Sequence, residues 1–245
     1  MDELIKLLES GNPYHKPKGP GGGQFTGAPS GKSSLASYTG RDYQPIGDWL
    51  KDEPDLGRHD AYCENLNDSQ KESVREYTAG GFFVMNSMLR GKPAPFPEEP
   101  QNAKRIANFR ENVAGMDSVF SGAPEMTTNR IVYRGVREGP EALGVKGIGQ
   151  VFVDRGFGST SVKKDLAMSV AKETFFEICV PAGSRGPLSV QHISSYPGER
   201  EIIFPRDSVF KVVSMTQGKH SESGKDITIV RLIYGLPKAL LFTEG

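Results

Sequence analysis

The sequence predicts an α+β domain, with helices first and mostly antiparallel strands after them. Three observations predict it. Apolar residues recur at helical spacing between about residues 67 and 120. After Asn129 the pattern changes to short apolar runs separated by turns. The 245-residue chain is 36% apolar and 24% charged, enough to build one globular core over most of its length.

Residues 1–40 stand apart. After one or two helical turns at Leu4 to Leu8, the chain becomes rich in Gly, Pro and Ser, with Gly19-Pro-Gly-Gly-Gly23 and Gly31-Lys-Ser-Ser34. Such a stretch buries little apolar surface and reads as a flexible tether. Gly27-Ala-Pro-Ser-Gly31-Lys32-Ser33 is one residue short of a phosphate-loop spacing and no strand precedes it, so it reads as linker. Residues 41–245 are expected to form the folded domain.

The helical half opens near Asn67, where Ser69 and Glu72 have capping-box spacing. Val74, Tyr77, Gly81, Val84 or Met85, and Met88 continue a helical face, which Gly80-Gly81 should split in two. Pro93 to Pro100 reads as a loop, and Ala103 to Phe120 as a further helix. Strands are expected at Arg130 to Tyr133, Val151 to Val153, Thr174 to Val180, Glu201 to Phe204, Val209 to Val213 and Asp226 to Tyr234, with one helix at Lys164 to Glu173. The last two strands flank the polar loop Thr216 to Lys225 and read as a hairpin. No internal repeat is visible.

Bulk properties narrow the function. Lys+Arg and Asp+Glu both total 30, so gross charge indicates neither a nucleic-acid nor an anionic-membrane partner. Cys63 and Cys179 form no framework and read as reduced or buried thiols. His15, His59, His192 and His220 lie at no metal-ligand spacing, so no metal is expected. No run of 18 apolar residues occurs. Charge breaks the apolar stretch within Met1 to Ser10, which is not a signal-peptide pattern.

Three motifs carry chemistry. Ile131-Val-Tyr-Arg134-Gly135 ends an apolar strand on an arginine. Gly156-Phe157-Gly-Ser159-Thr160-Ser161 follows, then Tyr196-Pro-Gly-Glu199-Arg-Glu201-Ile-Ile-Phe204. Singly, each has an ordinary reading: a strand-end arginine on a surface carboxylate, a cap for the helix near Lys164, solvated charges at a strand edge. The third is odd, because Glu201 opens directly onto a strand that must be largely buried. If Glu199 and Glu201 are both extended, their carboxylates share one face, and like charges that close disfavour joint ionisation. Paired carboxylates of this kind mark functional sites.

Together the motifs resemble the arginine-serine-glutamate class of mono-ADP-ribosyltransferases, which includes bacterial binary actin-modifying toxins and vertebrate surface transferases. The resemblance runs from Tyr62 to Tyr234. It takes in Asn86-Ser-Met-Leu-Arg90, the small Ala167 after Ser-Thr-Ser, and Pro205 to Val212 after the glutamates. It implies a helical N-terminal part packed on a mostly antiparallel split β-sandwich, with NAD in the cleft. By resemblance, Arg134 and Gly135 hold the NAD phosphates or adjoining ribose. Ser159, with Thr160 beside it, orients the catalytic glutamate and seats the nicotinamide end, and Phe157 with Phe176 walls it. Glu201 is the catalytic glutamate. Glu199 then selects an arginine acceptor on a host-cell target protein, and Tyr196 stacks on that acceptor. Two alternatives share these residues: an NAD glycohydrolase, and a virion-associated protein with an inactive transferase fold. Asn12 to Gly19 followed by Gln24-Phe25-Thr26 resembles segments of bacteriophage head-associated proteins, which points to a phage-borne enzyme delivered to the host cytoplasm.

Overall fold

Helices fill the first half of the described chain and strands the second, the order that the periodicity predicts. The structure, a computed structural model, describes residues 56–96 and 99–235. The expected helical turns at Leu4 to Leu8, the tether over 1–40, and residues 41–55 and 236–245 lie outside the described residues.

Helix α1 (Gly57–Glu64) leads into α2 (Asp68–Glu76). The capping box of α2 is Asn67 with Gln70, two residues before the expected Ser69 and Glu72. Asn is as good a cap as Ser, and here it comes first in the chain. A wide π turn, Tyr77–Gly81, then separates α2 from α3 (Phe82–Leu89). Gly80 has φ 107°, a conformation that a side chain at that position would resist, which is why the split falls there. The single helix expected from Ala103 to Phe120 is two, α4 (Pro100–Ala107) and α5 (Phe109–Phe120), broken at Asn108. Periodicity alone does not report a bend at a residue that both helices share as a cap.

Eight strands follow among the described residues: β1 (Arg130–Val136), β2 (Val151–Asp154), β3 (Gly158–Ser161), β4 (Thr174–Val180), β5 (Leu188–Ser189), β6 (Glu201–Phe204), β7 (Ser208–Lys219) and β8 (Asp226–Tyr234). Helix α6 (Lys164–Val170) lies between β3 and β4 and is three residues shorter than expected. The sheet order is β2-β7-β8-β4-β1-β3-β6-β5, antiparallel except for the β4–β8 pair. β3 and β5 were not expected as strands: β3 is built of Gly, Ser and Thr, and β5 is two residues long. The hairpin is as predicted, but β7 runs six residues past Val213, because its polar end still pairs with β8.

The sheet is joined at its middle by a single register position, Tyr133↔Ser161 between β1 and β3. This joint divides it into a five-stranded part and a three-stranded part. The helices α1, α2, α3 and α5 bury Val74, Tyr77, Met85, Phe109, Met116 and Phe120 against Phe157, Leu188, Val190 and Ile203 of the three-stranded part. Helix α6 covers the back of the other part through Ala167 and Met168, packed with Ile131, Tyr133 and Phe175. A third cluster around Val132, Phe176, Ile202, Phe204, Phe210 and Leu232 spans both parts. Cys63 and Cys179 are free and buried. No described helix is long and apolar enough to cross a membrane.

Candidate active site

The register at the sheet's joint brings the three motifs together. β3 lies between β1 and β6, with Ser161 opposite both Tyr133 and Glu201. Arg134 from β1, Ser159 and Thr160 from β3, and Glu201 from β6 therefore line one cleft of about 500 Å³. Its walls are α3, α6 and the turn carrying Tyr196 and Glu199. Close packing of one wall depends on Gly135. A Cβ there would run into the backbone of Ala167 and Ala171, so α6 can lie on β1 only over a glycine.

Glu201 is the buried acid of the cleft, 6% exposed. Burial raises its pKa from 4.5 to about 7; the Ser159 hydroxyl bonded to it works against the rise, and the nearby Glu199 charge adds to it. Behind Ser159 stands a chain of bonds that the sequence did not announce. Ser159 Oγ lies 3.0 Å from Tyr77 Oη, and Asn86 Nδ2 donates to that Oη at 3.2 Å. Asn86 Oδ1 accepts the Phe157 N–H at 2.7 Å, and the Tyr77 hydroxyl donates to Phe157 O at 3.2 Å. Ser159 donates to Glu201, and the Tyr77 hydroxyl, which accepts from Asn86, has one proton for Phe157 O and Ser159 Oγ between them. Burial, then the Glu201 charge, pushes the Tyr77 hydroxyl up to about 12, so it stays protonated and able to donate. Replacing Tyr77 with Phe leaves the buried amide and hydroxyl short of a partner. That variant is expected to lose about 1–3 kcal/mol in a denaturant titration; an unchanged midpoint would show that the chain of bonds is not formed.

A second cluster lies along the cleft. Asp154, buried at the end of β2, is held by two arginines. Arg90 bonds it in a fork, Nε to Oδ1 at 2.8 Å and Nη2 to Oδ2 at 3.0 Å, and Arg134 Nη1 reaches Oδ2 at 3.2 Å. Burial alone would raise the Asp154 pKa, but the two guanidiniums hold it below the usual carboxylate range. Two cations on one carboxylate leave a net positive charge on the cleft wall, suited to a diphosphate. Sequence reading found Arg134 but not its partners. The available signal was Asn86 and Arg90, polar residues four apart around the apolar run Phe82 to Leu89, following a π turn of the kind frequent at functional sites.

Glu199 departs from its expected geometry. It is not extended beside Glu201: it ends the 3-10 turn Pro197–Glu199, and Arg200 has φ 47°. Two-residue alternation along a strand therefore does not apply, and Glu199 is exposed where Glu201 is buried. Both still face the cleft. Tyr196 stands at the turn's start, 54% exposed. Phe157 and Phe176 do not wall the cleft. Phe157 is fully buried, edge-on to Tyr77 and stacked on Phe120, and Phe176 is in the core between the two sheet parts. The adjacent aromatics Phe82 and Phe83 line the cleft instead, with ring centroids 4.1 Å apart. The Thr160 hydroxyl is spent on Ile202 O at 2.6 Å, which makes it a clamp between β3 and β6. Ser161 accepts the Lys163 N–H, but the residue capping α6 is Lys163, with no side-chain cap bond. Among the described residues no group of three or more His, Cys, Asp or Glu is placed to hold a metal.

This arrangement suits one kind of chemistry. A carboxylate with a preset hydrogen bond, deep in a cleft, stabilises positive charge developing on a sugar, and an arginine pair beside it holds phosphates.

The chain is similar to several ADP-ribosyltransferases. Mono(ADP-ribosyl)transferase SpvB of Salmonella typhimurium is 25% identical over 182 residues, covering 66% of this chain and 30% of SpvB, so the chain spans about 30% of that relative's length. NAD(P)(+)--arginine ADP-ribosyltransferase 2 of Gallus gallus is 34% identical over 87 residues, covering 36% of this chain and 26% of that protein. Among solved structures, Plx2a, an ADP-ribosyltransferase toxin from Paenibacillus larvae, shares the fold at a TM-score of 0.57 and 19% identity, covering 74% of this chain and 92% of its own. The toxin BECa of C. perfringens, solved with NADH, does so at 0.57 and 14%, covering 73% of this chain and 46% of its own. Residues 56–233 match the model of the ADP-ribosyltransferase exoenzyme family, and the chain belongs to that family.

Proposed function

We propose that this protein transfers ADP-ribose from NAD to an arginine side chain of a target protein in a host cell, releasing nicotinamide. The observation that carries the reading is the pair of glutamates at one cleft, Glu201 buried and bonded to Ser159, Glu199 exposed on the turn at its mouth. Arg134 and Arg90 hold the NAD diphosphate. The glycosidic C–N bond breaks with its electron pair leaving on nicotinamide, and Glu201 stabilises the resulting oxocarbenium character. A guanidinium nitrogen forms the new C–N bond and gives up a proton, for which Glu199 is the nearby acceptor. Tyr196 offers a ring on which the guanidinium stacks. The relatives' names, an arginine ADP-ribosyltransferase and mono(ADP-ribosyl)transferase SpvB, support this choice of reaction. The delivery of a phage-borne enzyme to the host cytoplasm remains part of the proposal, resting on the Asn12 to Thr26 segment.

The test is nicotinamide release from NAD with and without agmatine, for wild type and for Glu199→Gln. The wild type is expected to release nicotinamide faster with agmatine. Glu199→Gln is expected to keep slow hydrolysis and lose the acceleration, because water still attacks when the acceptor's carboxylate is gone. Labelled NAD in a cell lysate extends the test to protein acceptors. If Glu199→Gln still modifies arginine at the wild-type rate, the acceptor assignment is wrong; free ADP-ribose with no labelled protein makes the chain a glycohydrolase.

A further inference from the structure

Three consecutive carbonyls of the acceptor turn are taken by three consecutive residues at the end of β3. Gly198 O accepts from Lys163 Nζ at 2.8 Å, Glu199 O from Ser161 Oγ at 2.7 Å, and Arg200 O from the Val162 N–H at 3.5 Å. The Ser161 hydroxyl is fixed from both sides, since it also accepts the Lys163 N–H at 2.9 Å. The turn's other end is tied to the helical part: the Ser195 N–H donates to Thr78 Oγ1 at 2.9 Å, and Ser195 Oγ donates to Arg75 O at 3.0 Å. Between these ties, Arg200 holds φ 47°, a left-handed conformation that a non-glycine residue keeps only when its surroundings enforce it.

From this geometry we propose that Ser161 is a positioning residue that sets the placement of Glu199 relative to Glu201, and thereby the share of ADP-ribose that goes to an acceptor instead of to water. The inference rests on the transferase reading above and extends it to a residue outside the acceptor turn. Ser159 and Ser161 are two apart on one strand and have parallel duties: the first bonds the Glu201 carboxylate, the second bonds the backbone of Glu199. One short strand thus holds both the Glu201 carboxylate and the backbone that carries Glu199. Ser161 is the buried member of the clamp and Lys163 the exposed one, so Ser161 carries the larger part. Transfer is the step that depends on this placement. A guanidinium attacks only when held close to the sugar carbon in line with the leaving bond, and a misplacement of about 1 Å costs on the order of 10²-fold. Water is small and abundant, and needs no carboxylate at the cleft mouth to bring it in.

The experiment uses the full chain with NAD and agmatine and counts two products, ADP-ribosylagmatine and free ADP-ribose, for wild type, Ser161→Ala, Ser161→Thr and Lys163→Met. Ser161→Ala is expected to lower the ratio of adduct to free ADP-ribose about tenfold or more, with a raised KM for agmatine and a much smaller change in KM for NAD. Ser161→Thr keeps the hydroxyl and is expected to restore most of the ratio. Lys163→Met, a surface change independent of folding, is expected to lower it severalfold and decides the matter should Ser161→Ala not fold. Products that fall together in constant ratio, in Ser161→Ala or in Lys163→Met, would mean a merely structural role and overturn the proposal, as would a wild-type ratio in both. A wild type that releases no nicotinamide fails the underlying activity instead, and a wild type that hydrolyses NAD without forming adduct fails the arginine reading.

Discussion

Replacing Glu201 with Gln is expected to cut nicotinamide release about 10²- to 10³-fold and, at the same time, to stabilise the fold at pH 8. The first effect follows from losing the one buried negative charge placed to face the developing oxocarbenium; removal of such a preset electrostatic group costs about this factor. The second follows from burial. The Glu201 pKa stands at about 7 in the fold against an ordinary 4.5. The folded state therefore holds this proton more tightly than the unfolded state does. The stability linked to it is fully present below about pH 4.5 and is lost as pH rises through about 7. At pH 8 the wild type carries an ionised carboxylate in a site that resists it, at a cost of roughly 3 kcal/mol. Glutamine keeps the size without the charge. Activity has the opposite dependence, since the ionised form is the catalytic one: kcat/KM for NAD is expected to rise from pH 5 to 8 with a midpoint near 7. Thermal unfolding at pH 5 and pH 8, beside the rate profile, checks both halves. Near-normal turnover by the variant sinks the site assignment, and an equal Tm difference at both pH values sinks the burial argument.

Asp154→Asn is expected to destabilise the protein by about 3–5 kcal/mol at pH 7 and to raise the KM for NAD severalfold. Arg90 and Arg134 both point at this carboxylate, and its removal leaves two partly buried guanidiniums facing each other with no anion between them. Because neighbouring cations lower the folded pKa of Asp154, its contribution is present above the ordinary carboxylate pKa near 3.8 and lost as pH falls through the lower folded value. The deficit of the variant should thus be constant from pH 6 to 8, whereas the gain expected of Glu201→Gln grows over that range. Urea unfolding across that range is the measurement. A loss under about 1 kcal/mol would mean that the arginines are held in place without Asp154.

The sequence made Arg134, Ser159, Glu199 and Glu201 visible because their motifs are short and local, and because the three motifs taken together in this order resemble one family. The roles of Tyr77, Asn86 and Asp154 were not visible. In sequence, Tyr77 is one more apolar position on a helical face, Asn86 a polar break in an apolar helix, and Asp154 a charge at a strand end. Only their meeting partners, 82, 71 and 64 residues away along the chain, give them a role. Phe157 erred in the other direction. Its place in a motif suggested a cleft wall, but it precedes β3 and packs beneath the helices, against Tyr77 and Phe120.

What the sequence determined by itself was the order of helices and strands, the break at Gly80, and the three motifs, because periodicity, a left-handed glycine and strings of special residues are local properties of a chain. What only the tertiary structure decided was the relation between motifs. A single pairing, Tyr133 with Ser161, sets β3 between β1 and β6 and so places the arginine, the serine and the glutamate around one cleft. The left-handed Arg200 lifts Glu199 off the strand, and β3 holds it there. Register and burial are sums over contacts far apart in the chain, and no window of sequence contains them.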